Sequence, residues 1–322
     1  MPERERCTVS DPALGIVEVT PFPADAALRG LVPVLQGQQA GYRVMRYRPG
    51  KRCTVRTEPV GRLDQRFVKF FADDQGAAIQ ADSLRLWSAA INGDLEFAVA
   101  EPDHWDPATR ALWQCSVPGS PVAPILFGPQ GGDLAYRMGR ALGSIPQSSV
   151  KPTRTFDFEV QMERTRRYAT ALCKRLPSAK ESIEDLVLQL GRLKPSGRRA
   201  PQNPIHGSPH MHQWLIDQDR LGLVDFDRMS IGDPELDAAT FVAEMDYEDP
   251  TKVPVKELNR EFLDGYQDAA GALDPDLLLS YRLQKHVAKA LKAARAVRPD
   301  APQRAMRNLR RASDQLKRTE RL

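Results

Sequence analysis

The chain of 322 residues is 41% hydrophobic and 27% charged with a net charge of +4, an ordinary balance for a folded protein of about two compact units. No run approaches the roughly 18 apolar residues of a membrane span, and Met1-Pro-Glu-Arg-Glu-Arg lacks the apolar segment of a signal peptide. Cys7, Cys53, Cys115 and Cys173 are far apart and show no Cys-x-x-Cys spacing, so a reduced, cytoplasmic protein without a disulfide framework is expected.

In chain order, the first hundred residues read mainly as strands. Residues 41–48 and 51–57 alternate apolar with polar around Pro49-Gly50 and predict a hairpin. Arg66 to Phe71 predicts a third strand, and the Asp73-Asp74 cap signal opens a helix over 77–90. Short strands are expected at 95–100 and 111–115. Between Ser116 and Gly132 the sequence turns rich in Pro and Gly, which marks a boundary. The expected organisation is a β-rich lobe over 1–116, a hinge over 117–132 and a helical lobe over 133–322.

Within that lobe helices are predicted at 133–145, 157–176, 182–193, 234–245, 255–270, 275–297 and 302–318, with a loop at 194–203. Residues 281–322 hold 13 Lys and Arg against 3 acids. Such a basic tail could meet nucleic acid, lipid or an acidic protein. Apolar residues at helical spacing, from Leu283 to Leu316, and the lack of interleaved aromatics favour a solvated helix face instead.

Most of the site chemistry falls between His206 and Asp237. His206-Gly-Ser-Pro-His-Met-His-Gln213 precedes a short hairpin, which leads into Val224-Asp-Phe-Asp227 and Gly232-Asp-Pro-Glu-Leu-Asp237. Asp225 ends the apolar strand Leu221-Gly-Leu-Val224, where a carboxylate can meet a hard cation. Asp233 and Asp237 suit bracing of the loop and the start of the next helix, because Gly-Asp-Pro sets an acceptor ahead of a proline fit for the first turn. Asp227 could assist a metal or cap the turn.

A β-rich lobe, a Pro/Gly hinge and a helical lobe with an Asp-bearing hairpin resemble the aminoglycoside phosphotransferase and choline kinase-like family. That family's signature is similar to His-Gly-Asp-x-His-x-x-Asn, a hairpin, Ile-Asp-Phe and Gly-Asp-Pro-x-x-Asp. Weaker likeness extends to Tyr47-Arg-Pro-Gly-Lys-Arg52, Phe67-Val-Lys69 and Val117-Pro-Gly119.

The resemblance implies an α+β, two-lobed protein-kinase-like fold that binds ATP and Mg²⁺ in the cleft between its lobes and transfers phosphoryl to a small-molecule acceptor. Lys69 is then the phosphate lysine, and Asp225 and Gln213 the metal ligands, with Gln213 in place of the usual Asn. His206, Asp227, Asp233 and Asp237 take supporting roles. Nucleotide is the expected partner, with neither membrane nor nucleic acid.

Two departures stand out. Ser208 occupies the position of the family's catalytic Asp, and a hydroxyl cannot accept the substrate proton as a carboxylate does. His210 or His212 could serve instead, although a second histidine is usual at the His210 position and more often structural there. The helix after Lys69 also offers only Gln80 and Asp82 where kinases pair the lysine with a glutamate. A pseudokinase that binds nucleotide as a sensor or scaffold is the alternative to an active phosphotransferase. Two further readings are a transition-metal site of His206, His210, His212 and Asp225, which fits no known metalloenzyme spacing, and nucleophilic Ser208, for which the Gly-x-Ser-x-Gly elbow is absent. The acidic stretch from Glu244 to Asp249 reads as an exposed loop.

Overall fold

The computed structural model describes residues 7–11, 15–19, 24–37, 41–57, 65–193, 202–249 and 251–319. The chain packs as two compact units. The first comprises Met1–Gly93, Phe97–Ser120 and Leu215–Asp227, and the second Asp94–Glu96, Pro121–Trp214 and Arg228–Leu322. The architecture is α+β, with a β-rich N-terminal region and a larger helical C-terminal region.

In the first unit, strands β1 (Cys7–Asp11) and β2 (Gly15–Val19) pair antiparallel, and helix α1 (Leu31–Gly37) follows. The main sheet holds β3 (Tyr42–Arg48), β4 (Arg52–Thr57) and β5 (Arg66–Phe71), then, beyond helix α2 (Gln75–Ile91), β6 (Pro102–Asp106) and β7 (Ala111–Cys115). Its order is β3-β4-β5-β7-β6, antiparallel throughout.

Alternation along the strands decides what each face meets. Cys53, Val55, Val68 and Phe70 pack with Leu28, Leu31 and Leu35 on one face, while Phe71 and Leu112 pack with Ile79 of α2 on the other. Lys69 therefore leaves the central strand on the α2 side, in register with Leu112 of β7. Asp25 pins the Pro49-Gly50 turn by accepting from the Gly50 N–H at 2.6 Å and the Tyr47 hydroxyl at 3.0 Å.

After the expected boundary come β8 (Ser120–Pro121), α3 (Ala123–Leu126) and α4 (Gly131–Gly143). Next are β9 (Thr155–Phe156), α5 (Phe158–Arg175), α6 (Lys180–Arg192) and β10 (Asn203–Ile205). The hairpin β11 (Trp214–Asp217) and β12 (Arg220–Leu223) leads to β13 (Ser230–Gly232). Helices α7 (Pro234–Met245), α8 (Val255–Ala270), α9 (Pro275–Ala294) and α10 (Ala301–Thr319) complete the chain. A large core joins α5, α6, α7, α9 and α10 through Leu172, Ile183, Leu236, Val287 and Leu309. The second unit also holds a small sheet in the order β10-β13-β9.

Several expectations shift. Residues 95–100 form no strand; Ala98 makes a single bridge to Gly222, donating to the Leu221 carbonyl at 2.8 Å and accepting from the Leu223 N–H at 2.9 Å. Burial still alternates there, with Leu95 and Phe97 inside, so apolar spacing mimicked a ladder that one bridge replaces. The hairpin, which chain order gave to the helical lobe, packs instead with the β-rich unit. The Ala98 bridge, Phe97 stacked on Phe226 with centroids 6.1 Å apart, and Val117 against Gly222 hold it there. Gly119, at φ +115°, lets this connection pass the hairpin backbone, since a Cβ would sit 2.7 Å from the Ile216 carbonyl. Within the expected loop at 194–203, residues 194–201 lie outside the described residues.

Candidate active site

The first unit gathers a buried ion cluster around Lys69. The lysine is 7% exposed and donates to Asp227 Oδ1 at 2.5 Å and to Asp225 Oδ1 at 3.3 Å. Arg52 of β4 donates to the other oxygen of Asp227 at 2.6 Å. Two cations thus face two carboxylates, the balance a buried cluster needs. Burial alone lowers the Lys69 pKa, but Asp227 and Asp225 outweigh it and hold the pKa above its ordinary value, with Arg52 opposing. The ammonium is charged at neutral pH.

Asp225 differs from Asp227 in two respects. Its side chain is 30% exposed against 7%, and its backbone lies at φ +70°, in the left-handed region. Asp tolerates that region better than most residues, yet it still costs energy, and such strain concentrates at functional positions. Asp225 lies two residues past the end of β12, and a partly open carboxylate is the type of hard oxygen donor that suits Mg²⁺. No acid of α2 holds Lys69: Asp82 accepts from Arg85 at 2.9 Å, and the Gln80 amide donates to the Asp103 carbonyl. The space beside Lys69, walled by Leu86, Leu112, Val224 and Phe226, is only about 20 Å³, enough for one water.

The second unit carries the loop after β10. His206 is fully buried, and its Nδ1 accepts from the Ser208 N–H at 3.4 Å. Asp237 of α7 accepts from the His206 N–H at 2.6 Å and the Gly207 N–H at 2.8 Å. Burial raises the Asp237 pKa to about 7 against the pull of these two donors and of Lys285. Asp233 stands at the N-cap position of α7 ahead of Pro234, but its side chain makes no capping bond to the helix and accepts from the Tyr281 hydroxyl instead. Gly207, at φ +79°, runs so close to Arg228 that a Cβ would sit 2.4 Å from the Arg228 carbonyl oxygen.

Ser208 stands at the head of a hydrogen-bonded series. Its Oγ lies 3.2 Å from His210 Nε2, and His210 Nδ1 lies 3.1 Å from Glu244 Oε1, with Lys289 2.7 Å from the other Glu244 oxygen. In the tautomer that donates from Nδ1 to the Glu244 carboxylate, Nε2 presents its lone pair to the serine hydroxyl, and the His210 side chain also meets the Gln213 backbone N–H across the short turn. Burial raises the Glu244 pKa, but the His210 hydrogen bond and Lys289 overturn that and hold it at about 2. Gln213 uses its amide oxygen to accept from the His210 N–H at 2.5 Å, closing the short turn Met211–Gln213. His212 is exposed.

Glu244 and Asp246 are therefore not an exposed acidic loop. They end α7 in half-buried positions, and Asp246 takes Arg282, His286 and Gln315. Spacing on the helix could have revealed Glu244: with Asp237 it stands seven residues apart on one face, the face that meets the loop. Some of the basic tail's cations pack against the same region, with Lys289 and Arg311 over the Tyr247 ring at 3.6 and 4.7 Å. Among the described residues no three His, Cys, Asp or Glu side chains are grouped to hold a metal ion. No helix among them is long and apolar enough to cross a membrane.

Residues 89–283 match the model of the phosphotransferase enzyme family, and the chain belongs to that family. Among solved structures, choline kinase LicA from Streptococcus pneumoniae is 14% identical over 89% of this chain and 96% of its own, with a TM-score of 0.59. The aminoglycoside-3'-phosphotransferase of type VIII is 21% identical over 81% and 99%, also at 0.59. The GDP and kanamycin complex of APH(2")-IIIa is 14% identical over 88% and 97%, at 0.62. These likenesses establish the two-lobed, kinase-like fold. No curated protein is similar enough in sequence to count as a relative.

Proposed function

We propose that this protein is an ATP- and Mg²⁺-dependent phosphotransferase for a small-molecule acceptor, in which His210 replaces the carboxylate base that the family carries at the Ser208 position. The observation that carries the reading is the Lys69 cluster: a charged lysine on the central strand, joined to a partly exposed, strained Asp225. Lys69 supplies positive charge to the phosphates. Asp225 and the Gln213 amide oxygen, which also accepts from His210, would hold Mg²⁺, and the ion would supply positive charge against the phosphates as charge develops.

Ser208 and His210 move the proton. As the acceptor oxygen bonds to the γ-phosphorus, its proton passes to Ser208 Oγ while the serine proton passes to His210 Nε2, and the bond from phosphorus to the ADP oxygen breaks. Glu244 stabilises the imidazolium that forms. Such base action is worth about 10²- to 10⁴-fold.

A nucleotide-binding pseudokinase is the second reading, favoured by Ser208 itself and by a lysine whose charge two carboxylates already neutralise. Calorimetry of ATP with Mg²⁺ on the wild type and Asp225→Ala tests the ground common to both. We expect binding that Asp225→Ala weakens by at least about tenfold. Neither heat nor a shift in melting temperature at millimolar ATP would contradict both readings, and ATP hydrolysis present in the wild type separates them.

A further inference from the structure

The helical unit contains a cavity of about 350 Å³ whose described lining includes Arg154, Phe156, Arg164, Gly207, Arg228 and Ser230, and no carboxylate. That volume suits a small organic ligand. Its three guanidiniums come from separate elements: Arg154 ahead of β9, Arg164 from α5 and Arg228 ahead of β13.

Arg154 and Arg164 are held in place by neighbouring oxygens. Arg154 donates through Nη2 to the Met229 carbonyl at 3.1 Å, and Arg164 donates through Nε to the Tyr168 hydroxyl at 2.5 Å, four residues along the same helix. Gly207 makes up part of the wall, and its lack of a side chain brings the loop that bears Ser208 against Arg228. Ser230, 2% exposed, also lines the cavity, and its hydroxyl has no partner among the described residues.

We propose that this cavity binds the phosphate of a phosphorylated small molecule and so selects an anionic, phosphomonoester acceptor. Planar guanidiniums are the side chains best matched to the oxygens of phosphate, and three from different directions suit a tetrahedral dianion better than a flat carboxylate. A buried hydroxyl without a partner adds one donor. Lys285 reports the same positive field: burial first, then Arg228 and Arg164, push its pKa down to about 7 against Asp237 and Glu244. The acceptor role rests on the phosphotransferase reading, whereas phosphate binding does not.

Titrating the full chain with inorganic phosphate in the presence of saturating ATP and Mg²⁺, by calorimetry, tests the site, with glycerol, choline and acetate as neutral, cationic and carboxylate controls. Phosphate should bind in preference to all three. Arg228→Gln, at an exposed position, and Arg164→Gln should each weaken it about tenfold or more while ATP binding stays unchanged. In turnover, glycerol 3-phosphate should stimulate ADP release more than glycerol does. Absence of phosphate binding, equal binding by the variants, or preference for acetate or choline would overturn the proposal. Loss of ATP binding in the wild type would instead strike the phosphotransferase reading and leave phosphate binding standing.

Discussion

The Lys69 cluster and the Ser208 loop use charge in opposite ways. Around Lys69 the charges are largely buried and balanced, two cations against two carboxylates. Around Ser208 the series runs from a hydroxyl through an imidazole 42% exposed to a carboxylate and a lysine, an arrangement that can take up a proton. One region offers fixed positive charge, the other a movable proton. Phosphoryl transfer needs both, so under the proposed function a serine at position 208 is compatible with turnover.

Removing a partner from the buried cluster should have the largest effect on stability. Asp227→Ala leaves Lys69 without its closer carboxylate and Arg52 without its own, and should cost about 3 to 5 kcal/mol in chemical denaturation. Asp225→Ala, at the more exposed carboxylate, should cost markedly less stability while removing more nucleotide affinity. If the two variants destabilise equally, the division between a structural and a functional carboxylate fails.

Glu244→Gln should act more mildly. The amide still touches His210 but cannot stabilise an imidazolium, so turnover should fall about tenfold with little change in KM. The same variant has a signature in acid. Glu244 is held at about 2 in the folded chain, below its ordinary value, so its contribution to stability is present above the unfolded pKa of about 4.3 and lost as pH falls towards 2. A wild type that loses no more stability than Glu244→Gln across that window would show that the ion pair with His210 and Lys289 contributes nothing.

What sequence made legible follows from how local each signal is. Alternation in Arg52 to Thr57 and Arg66 to Phe71 fixes which residues enter the core, and hence that Lys69 leaves on the face opposite Val68 and Phe70. Helices at 234–245 and 255–270 follow their apolar spacing, with Pro234 opening the first and Gly271 just past the end of the second. Signals that depend on distant packing were hidden. Pro102–Asp106 has a proline and charges instead of alternating apolar residues, and pairs because Ala111–Cys115 lies beside it. The short helix Leu31–Gly37 carries Pro33 and no acidic start. Glu244 looked like one acid among several, since its histidine lies 34 residues upstream. The arginines at 154, 164 and 228 converge only once β9, α5 and β13 are assembled.

The proposed transfer depends on His210 as the proton acceptor. ATP turnover should be measured with Mg²⁺ on the wild type, His210→Gln, Ser208→Asp and the double variant Ser208→Asp/His210→Gln. We predict a wild type that turns over, a loss of about 10²-fold or more in His210→Gln, and recovery in the double variant, where the new carboxylate makes the histidine dispensable. Wild-type turnover untouched by His210→Gln would contradict a base role for His210, as would turnover confined to the variants that carry Ser208→Asp.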